Sequence, residues 1–153
     1  MNNHQLRSAL LKNYVTRRYF RGVYPSDRLP YKLSQHPSLL IVNTDPHYKP
    51  GKHWIVIYVP RYGPVEFFDS FGHAPAYYNR NFTDFLRRME RGVKYNKKIL
   101  QAQNSLMCGH YCLYYAIHRC KGIAMDTITS YFGRNGRRND EIVFHFIKKY
   151  FRL

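Results

Sequence analysis

Acidic residues are scarce in this chain: nine Asp and Glu face 25 Lys and Arg, leaving a formal charge of +16 over 153 residues. That imbalance excludes a charge-neutral surface. The basic pairs and runs Arg17-Arg18, Arg87-Arg88, Lys97-Lys98, Arg134 to Arg138 and Lys148-Lys149 spread along the whole sequence. Such a field draws in polyanions at low salt, and nucleic acid is the expected partner. Cysteines are also few, three in all and so odd in number. With no signal-peptide pattern and no apolar run of membrane length, a disulfide framework and a membrane-spanning helix are not expected. The expected setting is intracellular and reducing, with no membrane partner. Glycine and proline do not gather into a linker and no repeat is visible, so one domain is expected over 1–153. Aromatics at 17% argue against disorder and supply material for a core.

What is there reads as helices at both ends and strands between them. Leu6, Ala9 and Leu10 have helical spacing within Asn3 to Tyr14, behind an Asn cap. Tyr19 to Asp27, with Gly22 and Pro25, reads as an irregular connection. Leu39 to Asn43 has strand length, and Thr44 to Lys52, with Pro46, Pro50 and Gly51, reads as a loop. His53 to Val59 is the clearest strand, with Trp54, Val56 and Tyr58 on one face and His53, Ile55, Ile57 and Val59 on the other. A turn over Pro60 to Pro64 leads into Val65 to Asp69, the second arm of a hairpin. Tyr77 to Met89 is an amphipathic helix, Val93 to Leu100 a further strand, and the apolar run after Cys108 a buried helix. Asp126 to Phe132 is a short helix, and Asn139 is expected to cap a last one after the basic loop Gly133 to Arg138. This order predicts an α+β fold, a central mixed or antiparallel sheet flanked by helices.

Cys108 stands where a loop turns into that buried helix. A cysteine at a first helical position meets unpaired backbone N–H groups and the positive end of the dipole, both of which favour thiolate. A lone cysteine is nevertheless more often a small core residue than a nucleophile. A nucleophile needs a base, a group that orients the base, and an oxyanion donor. His53 opens the best strand and Asp69 closes the strand beside it, so a hairpin carries both to one sheet edge. A carboxylate there would fix the imidazole tautomer and stabilise its charged form. Gln101 and Gln103, just before Cys108, are candidate amide donors. Taken singly, His53 reads as a packing histidine and Asp69 as a turn residue; the joint pattern changes the odds.

That pattern resembles the adenovirus endopeptidase (adenain) family, related in fold to the ubiquitin-like-protein proteases. Tyr19-Phe20-Arg21-Gly22-Val23-Tyr24 is similar to the family's N-terminal segment, and Ile41-Val42-Asn43-Thr44 with Gly51-Lys52-His53-Trp54 to the approach to its catalytic histidine. Phe68-Asp69-Ser70-Phe71-Gly72 resembles the motif of the acidic member, and Gln101 to Gly109 the Gln-x-x-Asn-Ser-x-x-Cys-Gly nucleophile motif. Cys112 and Tyr150-Phe151-Arg152 also match. The resemblance implies an adenain-like cysteine protease fold with Cys108 as nucleophile, His53 as base, Asp69 as orienting acid and Gln101 as oxyanion donor, Gln103 being the runner-up. It places Gly51 beside the substrate cleft. Trp54 is counted with Gly51 as substrate-binding, and because it lies on the opposite strand face from His53 its expected role is packing that positions the histidine.

By the same resemblance the chain would be a monomeric endopeptidase cleaving viral structural precursors at glycine-containing sites, in the virion and host nucleus. DNA would be its stimulating polyanion, and the chemistry would require no cofactor and no metal. Two departures stand out. Asp69 replaces the glutamate of adenoviral members and matches the aspartate of the ubiquitin-like-protein branch. No cysteine lies between Glu90 and Leu100, where adenoviral members bind an activating peptide by a disulfide, and Cys120 is a poor substitute. The need for a peptide activator is therefore left open.

Three rival readings compete. Cys108, Cys112, His118 and Cys120 could be drawn as a zinc site, but their spacing is not that of a zinc knuckle. A non-enzymatic nucleic-acid-binding module fits basic residues interleaved with tyrosines, but leaves the His, Asp, Gln, Cys order unexplained. A ubiquitin-like-protein protease or deubiquitinase differs in substrate rather than chemistry. Papain-like enzymes place Cys before His, and caspases carry Gln where this chain has Leu106.

Overall fold

Nearly continuous apolar runs on three central strands determine the architecture. In a computed structural model describing residues 1–151, five strands form one sheet in the order β1-β2-β3-β4-β5. They are β1 Phe20–Pro25, β2 Ser38–Asn43, β3 Trp54–Val59, β4 Val65–Phe68 and β5 Val93–Tyr95. The inner pairs, β2 with β3 and β3 with β4, are antiparallel, whereas the outer pairs are parallel, so the sheet is mixed. Arg152, part of the C-terminal resemblance, lies outside the described residues.

Both sheet faces are covered, which explains why the strands read as nearly continuous apolar runs. Leu39, Ile41, Val56, Tyr58 and Phe68 point into one cluster with residues of α1 (Asn3–Lys12), α3 (Cys108–Cys120), α4 (Met125–Ser130) and α5 (Gly136–Phe151). Leu40, Val42, Ile55, Ile57, Val59, Val65 and Phe67 point the other way, against Phe82, Phe85 and Leu86 of α2 (Arg80–Met89). Helix α3 crosses β3 and is buried from Tyr111 to Ile117, as its all-apolar stretch requires. The expected α+β arrangement is the one observed.

Four local expectations need correction. Tyr19 to Asp27 is not merely a connection, since Phe20–Pro25 is strand β1, parallel to β2, with a register shift between Phe20 and Gly22. An edge strand tolerates the bulge, the glycine and the proline that suggested a turn. The strand expected over Val93 to Leu100 ends at Tyr95, because Asn96 turns its side chain to the backbone of Asp69. Helix α2 begins at Arg80 rather than Tyr77: the Asn79 side chain caps it by accepting from Asn81 N at 2.9 Å. The last helix starts at Gly136, with Asn135 accepting from Arg138 N at 3.2 Å. Asn139 therefore lies inside that helix, buried, donating to Leu100 O at 3.0 Å and Gly133 O at 2.9 Å.

Glu66 puts a carboxylate into the face of β4 that meets α3. Arg119 neutralises it, donating from Nε at 2.9 and 3.1 Å and from Nη2 at 3.0 Å, and the Tyr115 hydroxyl donates to the same carboxylate. The guanidinium also covers the Tyr58 ring at 4.5 Å. Replacing one partner of such a pair strands the other charge in a poorly solvated site. Glu66→Ala should therefore lower the unfolding free energy by about 3–5 kcal/mol in urea denaturation, with most of it regained in Glu66→Leu/Arg119→Met. Equal losses in both variants would show that the unpaired charge is not the cause.

Candidate active site

His53 immediately precedes β3 and Asp69 immediately follows β4. The antiparallel register pairs Val56 with Phe68. Continued by one residue, it sets Asp69 opposite Ile55, one pleat from His53 on the same face. Their side chains meet there, His53 Nε2 to Asp69 Oδ1 at 2.6 Å, both buried. Asp69 Oδ1 also accepts from Phe71 N at 2.9 Å, while Oδ2 accepts from His73 N at 3.3 Å and from the Tyr78 hydroxyl. Asn96 clamps the Asp69 backbone from below, accepting its N–H at 3.0 Å and donating to its carbonyl at 2.6 Å. Gly72 completes the turn in a left-handed conformation, φ +74°, and a Cβ there would lie 2.9 Å from the carbonyl oxygens of Lys97 and Lys98. Phe71 and Tyr78 stack with the imidazole at centroid distances of 5.0 and 5.8 Å.

Cys108 is the first residue of α3, behind Met107, whose side chain provides no cap. It shares the cleft lining with His53 and Trp54, and the imidazole and the backbone N–H groups of Trp54 and Gly109 favour its charged form. Burial opposes the thiolate, yet the hydrogen bond and charge of His53 and those backbone donors outweigh it, so the thiol ionises below its ordinary range. Burial likewise opposes protonation of His53, but the hydrogen bonds to Asp69 and Cys108 and their charges raise its pKa to about 9. Asp69 is held below the usual carboxylate range: burial works against its charge, and His53, Tyr78 and the Phe71 N–H more than compensate. Together these shifts favour a thiolate–imidazolium pair. The other cysteines behave oppositely, with burial pushing Cys112 well up and Cys120 up to about 12.

The two glutamines differ in how they are held. Gln101 is buried, with Oε1 accepting from Ser70 Oγ at 2.6 Å and Nε2 donating to Ser105 O at 2.8 Å. Gln103 is exposed. Both line a cleft of about 1130 Å³ together with His53, Cys108, Gly51 and Trp54. Gly51 is exposed with φ +96°, and a Cβ there would lie 2.9 Å from Asn43 Nδ2. Asn43 in turn accepts from Lys52 N at 3.2 Å and Asp45 N at 2.9 Å, shaping this rim. Trp54 packs against the opposite sheet face from His53, and its indole donates to Met1 O at 3.0 Å, anchoring the N-terminal segment. Across the cleft, His73 stacks on Tyr77 at 3.8 Å.

Sequence reasoning missed Tyr78, Asn96 and the role of Ser70. Ser70 sits inside a motif already singled out, so adjacency to Asp69 was an available signal. Tyr78 and Asn96 reach Asp69 through folds of the chain that no local pattern encodes. The four residues of the zinc reading do not converge: among the described residues, no group of three His, Cys, Asp or Glu side chains is placed to hold a metal ion. His118 Nδ1 instead lies 2.7 Å from Tyr114 O.

No protein-family model and no curated protein matches the sequence. Among solved structures, the ASFV pS273R protease aligns over 75% of this chain with 24% identity and a TM-score of 0.48. The matched region spans 44% of that protease's length. The central domain of the uncharacterized Lpg1148 protein from Legionella pneumophila aligns over 99% of this chain and 97% of its own, with 14% identity and a TM-score of 0.54. That second likeness extends the α+β fold to another chain of nearly the same span.

Iodoacetamide should alkylate Cys108 at pH 6, where an ordinary thiol, with pKa near ~8.5, is almost wholly protonated. A thiol pKa below normal leaves more thiolate at a given acidic pH. His53→Ala should return the rate–pH profile toward that of a free cysteine. A wild-type profile already centred near ~8.5 would show that no ion pair forms.

Proposed function

We propose that this protein is a cysteine endopeptidase with Cys108 as nucleophile, His53 as general base and acid, Asp69 as the orienting carboxylate and Gln101 as oxyanion donor. The observation that carries the reading is the buried 2.6 Å bond from His53 Nε2 to Asp69, which leaves the other ring nitrogen for Cys108 at the start of α3. Sulfur attacks the carbonyl carbon of the scissile peptide, and the resulting oxyanion takes hydrogen bonds from the Gln101 amide and backbone N–H groups at the helix start. The C–N bond breaks as the imidazolium passes its proton to the departing amine, leaving a thioester. Water adds to that thioester while His53 accepts its proton. The C–S bond then breaks, returning thiolate and imidazolium and releasing the carboxylic acid. Asp69 stays ionised throughout, and no metal or cofactor takes part in this scheme.

The finer reading follows the resemblance to adenain: an endopeptidase of viral precursor proteins, cutting at glycine-containing sites, monomeric, working in the virion and nucleus, and stimulated by DNA. The motifs around His53, Asp69 and Cys108 support it, and the charge of +16 supports the DNA partner independently. A ubiquitin-like-protein protease is the second reading, favoured by Asp69 standing where adenoviral members carry glutamate.

Cleavage profiling on a peptide library, with and without DNA, tests these readings. Cys108→Ala should abolish cleavage while DNA binding persists; a wild type that cleaves nothing would refute the peptidase. Gln101→Ala should lower kcat by about 10²–10³-fold with KM little changed, as expected for a lost oxyanion donor, whereas Gln103→Ala should cost little. The reverse ranking would move the donor role to Gln103. DNA affinity should fall by about 10³–10⁵-fold between 50 and 200 mM salt if some six to ten phosphates are contacted. A flat salt response would remove DNA as the partner.

A further inference from the structure

Ser70 is almost wholly inaccessible, at 1% exposure, and its neighbours are set by the oxyanion loop rather than by the core. Its carbonyl accepts the backbone N–H of Leu100 at 2.9 Å and of Gln101 at 3.1 Å. Its hydroxyl donates to Gln101 Oε1 at 2.6 Å, so one residue holds both the backbone and the side-chain end of Gln101. The far side of the amide faces Ser105 O, with Nε2 at 2.8 Å. A backbone carbonyl only accepts, so it selects the nitrogen, and a flipped amide would oppose two acceptors. Ser70 supplies the matching donor for the oxygen.

We infer that Ser70 is a positioning residue of the oxyanion site, locking the Gln101 amide in the one orientation that presents its remaining N–H to the cleft beside Cys108. This rests on the peptidase reading above. One N–H of the amide is spent on Ser105, and the oxygen is occupied by Ser70. The second N–H is the only group of the amide left to meet a developing negative charge. Removal of the hydroxyl would leave a buried amide oxygen without a partner, a state relieved by rotating the side chain away from that orientation. Because Ser70 directly follows Asp69, a single turn aligns the acid with His53 and the donor with the thiol. Among the described residues no side-chain hydrogen bond holds Gln103, so the nearer glutamine lacks this restraint.

The test compares Ser70→Ala, Gln101→Ala and the double variant on a peptide cleaved by the wild type, with iodoacetamide alkylation of Cys108 measured alongside. Alkylation builds no oxyanion, so it reports the thiolate independently of the amide. Ser70→Ala should lower kcat about 10–100-fold with KM within about twofold, and leave the alkylation rate and its pH profile unchanged. The double variant should be no slower than Gln101→Ala alone, because Ser70 acts through Gln101. A kcat for Ser70→Ala within twofold of wild type, additive losses in the double variant, or a parallel fall in alkylation would each overturn the inference. If Ser70→Ala does not fold, the wild type decides. The Gln101 side-chain amide, assigned by its loss in Gln101→Ala, should exchange with solvent at least tenfold more slowly than that of Gln103, and equal rates refute the lock. A wild type that is alkylated but cleaves nothing removes the peptidase reading and this inference with it; a cleaving wild type with an unaffected Ser70→Ala removes only the inference.

Discussion

The Asp69 carboxylate is fully buried and still ionised, and that state depends on four donors arriving together: His53, the Tyr78 hydroxyl and the backbone N–H groups of Phe71 and His73. An unpaired carboxylate in that position would be neutralised by its own desolvation, since burial alone raises its pKa. The four donors come from three pieces of architecture. The hairpin brings His53, the Gly72 turn brings the two backbone groups, and the segment leading into α2 brings Tyr78. The site is therefore a consequence of how β3, β4 and the entry to α2 are held in one register.

Charge is used in opposite ways inside and outside the molecule. Outside, basic residues outnumber acidic ones by 25 to 9, and their repulsion is left to solvent and to whatever polyanion binds. Inside, the buried carboxylates are matched one to one, Asp69 with His53 and Glu66 with Arg119. In the first pair His53 lines the cleft with Cys108 at the start of α3, whereas the second ties β4 to α3, the helix that carries Cys108. The free energy spent in desolvating Glu66 and Arg119 is thus linked to where the thiol stands. Cys112, one turn further along α3, shows the opposite case: burial, with the charges of Cys108 and Asp69, pushes its thiol pKa well up and keeps it protonated.

Much of this arrangement is legible in the sequence alone. The alternation in Ile55 to Val59 gave both faces of β3 correctly, and Leu6, Ala9 and Leu10 gave the buried stripe of α1. These are strictly local signals, repeated every two or three to four residues, and they survive folding because each face meets an apolar layer. The errors fall where a long-range partner overrides a local cue. Phe20 to Pro25 looks like a turn until Leu39 to Asn43 pairs with it, and Val93 to Leu100 looks like a strand until Asn96 is drawn away by Asp69. Asn139 has the composition of a cap, yet Asn135 takes that position and Asn139 is used as an internal strut to Leu100.

The sequence by itself determined the candidates for the site: one histidine at a strand start, one aspartate at the end of its partner strand, and one cysteine at the head of an apolar helix. Those identities and their order along the chain are covalent facts, and the hairpin between the first two follows from short-range pairing. Only the tertiary structure decided between Gln101 and Gln103 as the held amide, and brought in Ser70, Tyr78 and Asn96. The reason is physical: a hydrogen bond of 2.6 Å between Ser70 and Gln101, 31 positions apart, depends on the packed position of two loops on the sheet. Spacing along the chain can nominate an amide, but only its surroundings determine which way it points.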